Sequence, residues 1–174
     1  MDELVDTDDT RHAMWLPGHA LNCYAGDPLL RSWLLTPGLL TQRLRDSCGA
    51  RFRVRRLPER AVADERWREV EMCNGDRLWV FARTRFPLST LAAAPWLANI
   101  GDTPLGEAVA EHGGVTRSDF EYSELSAHHD VVACALRRSG LEPRSLWTRR
   151  SQFALSGAAF QLQEVFLPDV GRDA

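Results

Sequence analysis

The stretch that decides the fold runs from Trp67 to Phe86 and reads WREVEMCNGDRLWVFARTRF. Its apolar residues tend toward a period of two, first through 67–72 and again through 78–86, which is typical of β-strands. Asn74-Gly75 stands between the two halves, and this dipeptide favours the tight turn of a β-hairpin. The stretch therefore predicts two antiparallel strands at the start of a sheet.

Upstream of this hairpin, the sequence predicts a compact pair of helices over residues 27–46. Asp27 followed by Pro28 is typical of a helix start, with an N-cap and a proline at the first helical position. Thr36-Pro37-Gly38 ends the first helix, and a second runs from Leu39 through Arg45.

Downstream, a helix is expected around Leu91–Leu97, and Thr103-Pro104 predicts another helix with Thr103 as its N-cap. The last strong signal is a second hairpin, which turns at Ser156-Gly157. Residues 123–140 are helix-like and are expected to form an insertion that lies as a surface excursion between sheet elements. This order of elements predicts an α+β fold with an antiparallel sheet rather than a βαβ repeat.

The length of 174 residues fits one domain. Residues 1–12 are acidic and are expected to form a flexible leader, so the predicted domain covers 13–174. There is no basic leader with an apolar core and no stretch of membrane-spanning length, which predicts a cytoplasmic protein without membrane insertion. The net charge of −3 makes a nucleic-acid partner a poor expectation.

The basic residues bear on ligand chemistry, because all 21 of them are arginine and none is lysine. Schiff-base chemistry on lysine is therefore excluded, and guanidinium suits planar carboxylates. The four cysteines and five histidines show no spacing typical of zinc ligands, so a zinc site is not expected.

Three features interrupt the apolar pattern. Arg68 shares a strand face with Val70 and Met72, and Glu164 lies in register with apolar neighbours near the end of the chain. If those faces are buried, each charge needs a partner. Arg68 and Glu164 could neutralise each other, the opposite faces could be the buried ones, or the two could belong to a ligand site together with the free N–H groups at the start of the Leu105 helix.

The order and spacing of several motifs resemble the bacterial chorismate pyruvate-lyases of ubiquinone synthesis. The resemblance spans about residues 27–168 and rests on these segments: Trp33-Leu34-Leu35, Arg68-Glu69 leading to Cys73, Trp79, Arg83-Thr84, Pro87, Ser89-Thr90, Gly101–Gly106 (GDTPLG), Thr116-Arg117, Trp147, Arg149-Arg150-Ser151, Leu155-Ser156-Gly157 and Glu164–Pro168 (EVFLP).

The resemblance implies an enzyme that splits chorismate into 4-hydroxybenzoate and pyruvate without a cofactor, beneath helical flaps that cover a buried ligand pocket. Carried over by position, it places Arg68 and the backbone N–H of Leu105 at the ring carboxylate and Glu164 at the hydroxyl end, with Arg68 and Glu164 as the catalytic pair. Leu40 stands where the family has a ligand-contacting methionine, which keeps an apolar wall but loses a flexible thioether.

Other readings stay open at this point. A non-catalytic module that binds an aromatic acid, similar to effector-binding domains of transcription regulators, is the main alternative, and an inactive homologue is another. The arginine pairs 55–56, 137–138 and 149–150 are expected to be solvated, although Arg149 and Arg150 are candidates for a second substrate carboxylate. A monomer is expected.

Overall fold

The computed structural model describes residues 13–155 and 157–172, so the expected acidic leader at 1–12 lies outside the described residues. The helices are α1 (Leu21–Tyr24), α2 (Pro28–Leu34), α3 (Leu40–Cys48), α4 (Leu88–Ala93), α5 (Leu105–His112) and α6 (Asp130–Ser139), with short 3₁₀ turns between some of them. The strands are β1 (Leu16–Pro17), β2 (Phe52–Arg56), β3 (Arg60–Val62), β4 (Glu65–Asn74), β5 (Arg77–Pro87), β6 (Thr116–Arg117), β7 (Glu121–Leu125), β8 (Leu146–Leu155) and β9 (Ala158–Phe166).

Within the described residues these strands form one antiparallel sheet in the order β1-β7-β8-β9-β5-β4-β2, with β3 paired to β4 and β6 paired to β8. The predicted hairpins are β4–β5 and β8–β9, and Gly75 adopts a φ of +61° in the first turn. Such a φ is accessible to glycine at little cost, which explains the residue at this turn. The predicted α+β fold with an antiparallel sheet is confirmed.

Strand register decides which residues share a face, because directly opposed residues of antiparallel strands point to the same side. Val70 on β4 opposes Ala82 on β5, Ala82 opposes Glu164 on β9, and Glu164 opposes Arg149 on β8. This side, called here the flap face, is covered by α2 and α3, which bury Trp33, Leu34 and Leu44 against it. The opposite side is covered by α6.

The flap helices begin as their sequence predicts. The Asp27 side chain accepts hydrogen bonds from the Leu29 and Leu30 N–H groups at 2.9 and 3.3 Å, and Pro28 is the first residue of α2. These bonds satisfy two N–H groups that a helix start otherwise leaves unpaired. The predicted helix pair over 27–46 is confirmed as α2 and α3.

Three expectations need correction. Residues 123–140 are not a surface excursion, since they contain β7 residues and α6, which buries Val131, Val132, Ala135 and Leu136 against the sheet. The helix expected over 91–97 is two pieces, because Pro95 lacks an N–H and holds Ala94 outside helical geometry (φ −131°, ψ 74°). The next helix has Pro104 rather than Thr103 as its N-cap, so α5 begins one residue later than predicted.

Whether 123–140 is an insertion relative to other proteins stays a prediction. Its position is nevertheless informative, because α6 packs on the side of the sheet away from the flap helices. The segment therefore lies outside the space between flap and sheet, where the sequence places the site.

Candidate active site

A cavity of about 320 Å³ lies between the flap helices, α5 and the flap face of the sheet. A volume of this size is at the lower end of the usual range for small-molecule pockets. The lining residues are Gly38, Leu39, Leu40 and Thr41 from the flap, Gly106, Val109 and Ala110 from α5, Arg149, Phe153, Leu162 and Glu164 from β8 and β9, and Arg117 and Phe120 beside them.

A buried ion pair forms part of the floor of this cavity. The Arg149 Nε donates to Glu164 Oε2 at 2.5 Å, and the two residues are 1% and 5% exposed. The register brings them together, because Arg149 and Glu164 are directly opposed on β8 and β9. Burial of Glu164 is therefore compensated by Arg149, and the idea that Glu164 pairs with Arg68 is wrong.

Arg149 also connects this pair to the flap. Its Nη1 donates to the carbonyl oxygens of Leu34 at 3.1 Å and Thr36 at 3.4 Å, at the end of α2. One guanidinium thus holds both the Glu164 carboxylate and the flap backbone. The expectation that the 149–150 pair is solvated is wrong for Arg149, whereas Arg150 pairs with the half-exposed side chain of Glu121.

Arg68 is a buried cation without an anionic partner among the described residues. It is 2% exposed, and its Nη2 donates to the carbonyl oxygens of Gly101 and Thr103, each at 3.0 Å, while its Nε has no hydrogen-bond partner. Burial lowers the pKa of Arg68 below that of a free guanidinium and the charge of Arg56 lowers it further, whereas the carboxylates of Glu59 and Asp102 act in the opposite direction. A buried guanidinium whose hydrogen bonds go to neutral carbonyls is a favourable seat for an anion.

The contacts of Arg68 place it at the start of α5. Gly101 and Thr103 belong to the loop that enters this helix, and Leu105 is its first residue and is buried. The first N–H groups of a helix lack intrahelical partners and favour a negative charge. The Arg68 guanidinium and the Leu105 end of α5 therefore converge on one region, as the sequence predicts.

The two halves of the predicted site are adjacent but differ in their relation to the cavity. Leu40 and Glu164 line it, whereas Arg68 and Leu105 are not among its lining residues. Arg68 opposes Thr84 on β5, and Thr84 opposes Leu162, which lines the cavity. At the α5 side, a Cβ added to Gly106 would lie 2.7 Å from Leu39 Cδ2, so glycine permits the flap to close tightly against α5.

From the sequence, Arg149 is only a candidate for a second substrate carboxylate, and neither Phe120 nor Arg117 receives a role. The Arg149 guanidinium lies 4.1 Å from the centre of the Phe120 ring, and that of Arg117 lies 4.4 Å from it. Arg149 could have been found from the alternation of side chains along its strand, since it is separated from Trp147 and Phe153 by even numbers of positions and therefore shares their face. Phe120 precedes β7 and carries no comparable local signal.

Other features of the described part of the chain bear less on the site. A cavity of about 410 Å³ lies at the β1–β7 edge, and none of the predicted site residues lines it. Among the described residues, no group of three or more His, Cys, Asp and Glu side chains is arranged to hold a metal ion. None of the described helices combines the length and apolar character that crossing a bilayer requires.

Within the described residues, a buried arginine with no carboxylate in salt-bridge contact and a buried Arg–Glu pair lie on one face of an antiparallel sheet, beside a cavity under helical flaps, in an α+β protein. The chorismate lyase family profile matches residues 62–172. The chain is 35% identical to the "probable chorismate pyruvate-lyase" of Thiobacillus denitrificans, with 88% of each chain covered. It is 32% identical to the chorismate pyruvate-lyase of Sodalis glossinidius, with 82% of this chain and 80% of that one covered.

The chain therefore belongs to the chorismate lyase family, as its motifs predict. Among solved structures, it is similar to a GntR-family transcriptional regulator from Enterococcus faecalis, with 10% identity, 68% of this chain and 95% of that chain covered, and a TM-score of 0.45. A similarity of this degree carries no functional information.

Proposed function

We propose that this chain is a chorismate pyruvate-lyase that converts chorismate into 4-hydroxybenzoate and pyruvate. Membership of the family supports the proposal, and the observation that carries it is the buried Arg68 guanidinium, which has no carboxylate partner among the described residues. A carboxylate ligand would supply the missing negative charge. The rival idea of a non-catalytic module finds no specific support in these observations.

The reaction breaks the ether bond between the ring and the enolpyruvyl group and removes the proton from the neighbouring ring carbon, which bears the hydroxyl. The electrons of that C–H bond complete the aromatic ring, and the departing enolpyruvate takes up a proton to become pyruvate. Aromatisation supplies the driving force, so the protein mainly has to hold the dianion in a reactive conformation away from bulk water. We expect this chemistry to need neither a metal nor another cofactor.

In the proposed complex, Arg68 and the Leu105 N–H bind the ring carboxylate at one end. Glu164 lies two strands away from Arg68 on the same face, at the end where the ring hydroxyl and the reacting carbon belong. Its carboxylate is positioned to orient the hydroxyl and to assist proton transfer, and Arg149 fixes its direction. Leu40 supplies the apolar wall above the ring.

The experiment is to incubate the purified protein with chorismate and to quantify 4-hydroxybenzoate by chromatography and pyruvate by an enzymatic assay. Equimolar products that are lost in the Arg68→Ala and Glu164→Ala variants support the proposal and its site. Tight binding of 4-hydroxybenzoate without pyruvate release would instead indicate a non-catalytic binding module. Repeating the assay with a chelator tests the expected metal independence.

A conservative substitution separates chemistry from binding at Glu164. Glu164→Gln keeps the size of the side chain and one accepting oxygen but removes its negative charge, so turnover is expected to fall more than affinity for 4-hydroxybenzoate. Unchanged turnover would remove Glu164 from the chemical step. A cytoplasmic location, a monomeric state and a role in ubiquinone synthesis remain predictions.

A further inference from the structure

The proposed substrate carries a second carboxylate on its enolpyruvyl group, and the roles assigned above leave it without a counter-ion. Arg68 is assigned to the ring carboxylate, and Arg149 is already paired with Glu164 at 2.5 Å. A carboxylate transferred from water into a pocket needs a cation or several hydrogen-bond donors to offset its lost hydration. A further cation at the cavity would meet this need of the substrate's second carboxylate.

We infer that Arg117 binds the side-chain carboxylate of the substrate. It lines the same cavity as Glu164, and on β6 it directly opposes Phe153, which also lines that cavity. Directly opposed residues share a face, so the Arg117 side chain projects from the flap face of the sheet. This inference rests on the proposed function, since it assigns a role toward the second charge of that substrate.

The surroundings of Arg117 leave its guanidinium available for a ligand. Within the described residues it forms no ion pair with a carboxylate, and its guanidinium lies over the face of the Phe120 ring, 4.4 Å from the ring centre. Stacking on an aromatic ring holds the plane of a guanidinium while leaving its N–H edge free to donate to a carboxylate. Arg117 is exposed, so its charge is accessible from solvent at the cavity mouth.

Other arginines around the flap are less suitable. Arg43 does not line the cavity, and its guanidinium is engaged by Ser32 and Thr36 and lies 4.0 Å from the Trp33 ring centre. Arg45 pairs with Glu107. Among the described residues that line the cavity, Arg117 is thus the cation without an acidic partner.

The assignment predicts a difference between substrate and product. Chorismate would contact both Arg68 and Arg117, whereas 4-hydroxybenzoate has one carboxylate and would contact Arg68 alone. Arg117 would therefore contribute to substrate affinity without strengthening retention of the aromatic product. Pyruvate would leave from the Arg117 side of the cavity, which is the exposed side.

The test compares two stable ligands by calorimetric titration, 3-(carboxymethoxy)benzoate, which carries a second carboxylate on an ether arm, and 3-methoxybenzoate, which lacks it. For the unmodified protein we expect the dicarboxylate to bind about tenfold more tightly, because a hydrogen-bonded charge pair contributes that order of affinity. In Arg117→Gln the two ligands are expected to bind equally, with unchanged affinity for 3-methoxybenzoate, and Arg117→Lys should retain part of the difference.

Arg144→Gln is the matched control, because Arg144 is also exposed but lines a different cavity. An unchanged preference for the dicarboxylate in Arg117→Gln, or an equal loss of affinity for both ligands, would overturn the inference. Arg117→Gln should also raise the KM for chorismate about tenfold. Failure of the unmodified protein to release pyruvate would refute the proposed function, while the two-ligand comparison would still decide whether Arg117 binds a second carboxylate.

Discussion

The Arg149 guanidinium binds Glu164 Oε2 through its Nε at 2.5 Å and the Leu34 carbonyl oxygen through its Nη1 at 3.1 Å. A single side chain on β8 therefore holds the proposed proton-transfer group and the end of flap helix α2. Any displacement of the flap would require these bonds to be remade. The geometry of Glu164 and closure of the flap are thus mechanically connected.

Arg149→Met is expected to destabilise the protein by about 3–5 kcal/mol, because removal of one partner leaves the other charge buried and unpaired. The measurement is the free energy of unfolding from urea denaturation at neutral pH. Arg150→Met is the control, since Arg150 pairs with a half-exposed carboxylate and should cost less than about 1 kcal/mol. Similar losses for the two variants would contradict the assignment, and Arg149→Met/Glu164→Leu should recover part of the stability.

Arg68→Lys should weaken binding of 4-hydroxybenzoate by about tenfold or more, because lysine keeps the charge but loses the planar fork that can grip a carboxylate. Isothermal titration calorimetry measures this affinity directly. Arg66→Lys, two residues earlier on β4, is the matched control, as its side chain is 38% exposed and lies 3.8 Å from Glu59. Unaltered affinity in Arg68→Lys would make Arg68 a structural residue of the loop that enters α5.

The cap of α2 should make a pH-dependent contribution to stability. Burial acts to raise the pKa of Asp27, but hydrogen bonds from the Leu30 and Leu29 N–H groups and the charge of Arg172 outweigh it, so its pKa is below the ordinary value of 3.8. The folded state therefore favours the ionised carboxylate. The stabilisation that the ionised Asp27 carboxylate gives to the folded state is present above pH 3.8, and it is lost as the pH falls through the lower pKa of the folded state.

Accordingly, Asp27→Ala should lower the free energy of unfolding by about 1 kcal/mol at pH 7, since alanine cannot cap the helix. The difference from the unmodified protein should shrink as the pH is lowered below 3.8, and denaturation at several pH values measures it. Asp27→Ser retains a capping oxygen and should recover most of the loss at pH 7. If the difference in unfolding free energy between Asp27→Ala and the unmodified protein stayed constant down to the lowest pH, the charge of Asp27 would not contribute to stability.

The cysteines should differ sharply in reactivity toward a thiol reagent. Cys48 and Cys73 are 4% and 1% exposed, and burial raises the pKa of both thiols, so little of the reactive thiolate is present at neutral pH. Cys23 is exposed and should react first with Ellman's reagent in the native protein. In Cys23→Ser the fast phase should disappear, and rapid labelling of Cys48 or Cys73 without denaturant would contradict the structure.

Much of the fold could be predicted from local signals. The Asn74-Gly75 turn predicted the β4–β5 hairpin, and Asp27-Pro28 predicted the start of α2, because a turn or a cap depends on residues a few positions apart. Where a local signal was misread, the errors were small in extent. Pro95 divided the helix expected over 91–97, and α5 began one residue late.

Residues 123–140 show where local reasoning was insufficient. Their helical pattern was correct, and α6 ends with Gly140 in the left-handed conformation that the residue suggests. The burial of Val131 and Val132 depends on the second face of the sheet, where Glu69 and Glu71 are buried as well. Both carboxylates are buried in ion pairs with arginines from other segments, and no periodicity in one strand reveals such partners.

The sequence by itself placed Arg68 and Glu164 on the same strand faces as their apolar neighbours, because side chains alternate along a strand. The structure showed that these faces are the buried ones. Only the tertiary structure decided their partners. Arg149 meets Glu164 through the β8–β9 register and meets the Leu34 carbonyl across 115 positions of sequence. Pairing depends on the register of strands and the packing of distant helices, and these follow from the whole chain's burial of apolar surface rather than from any local pattern.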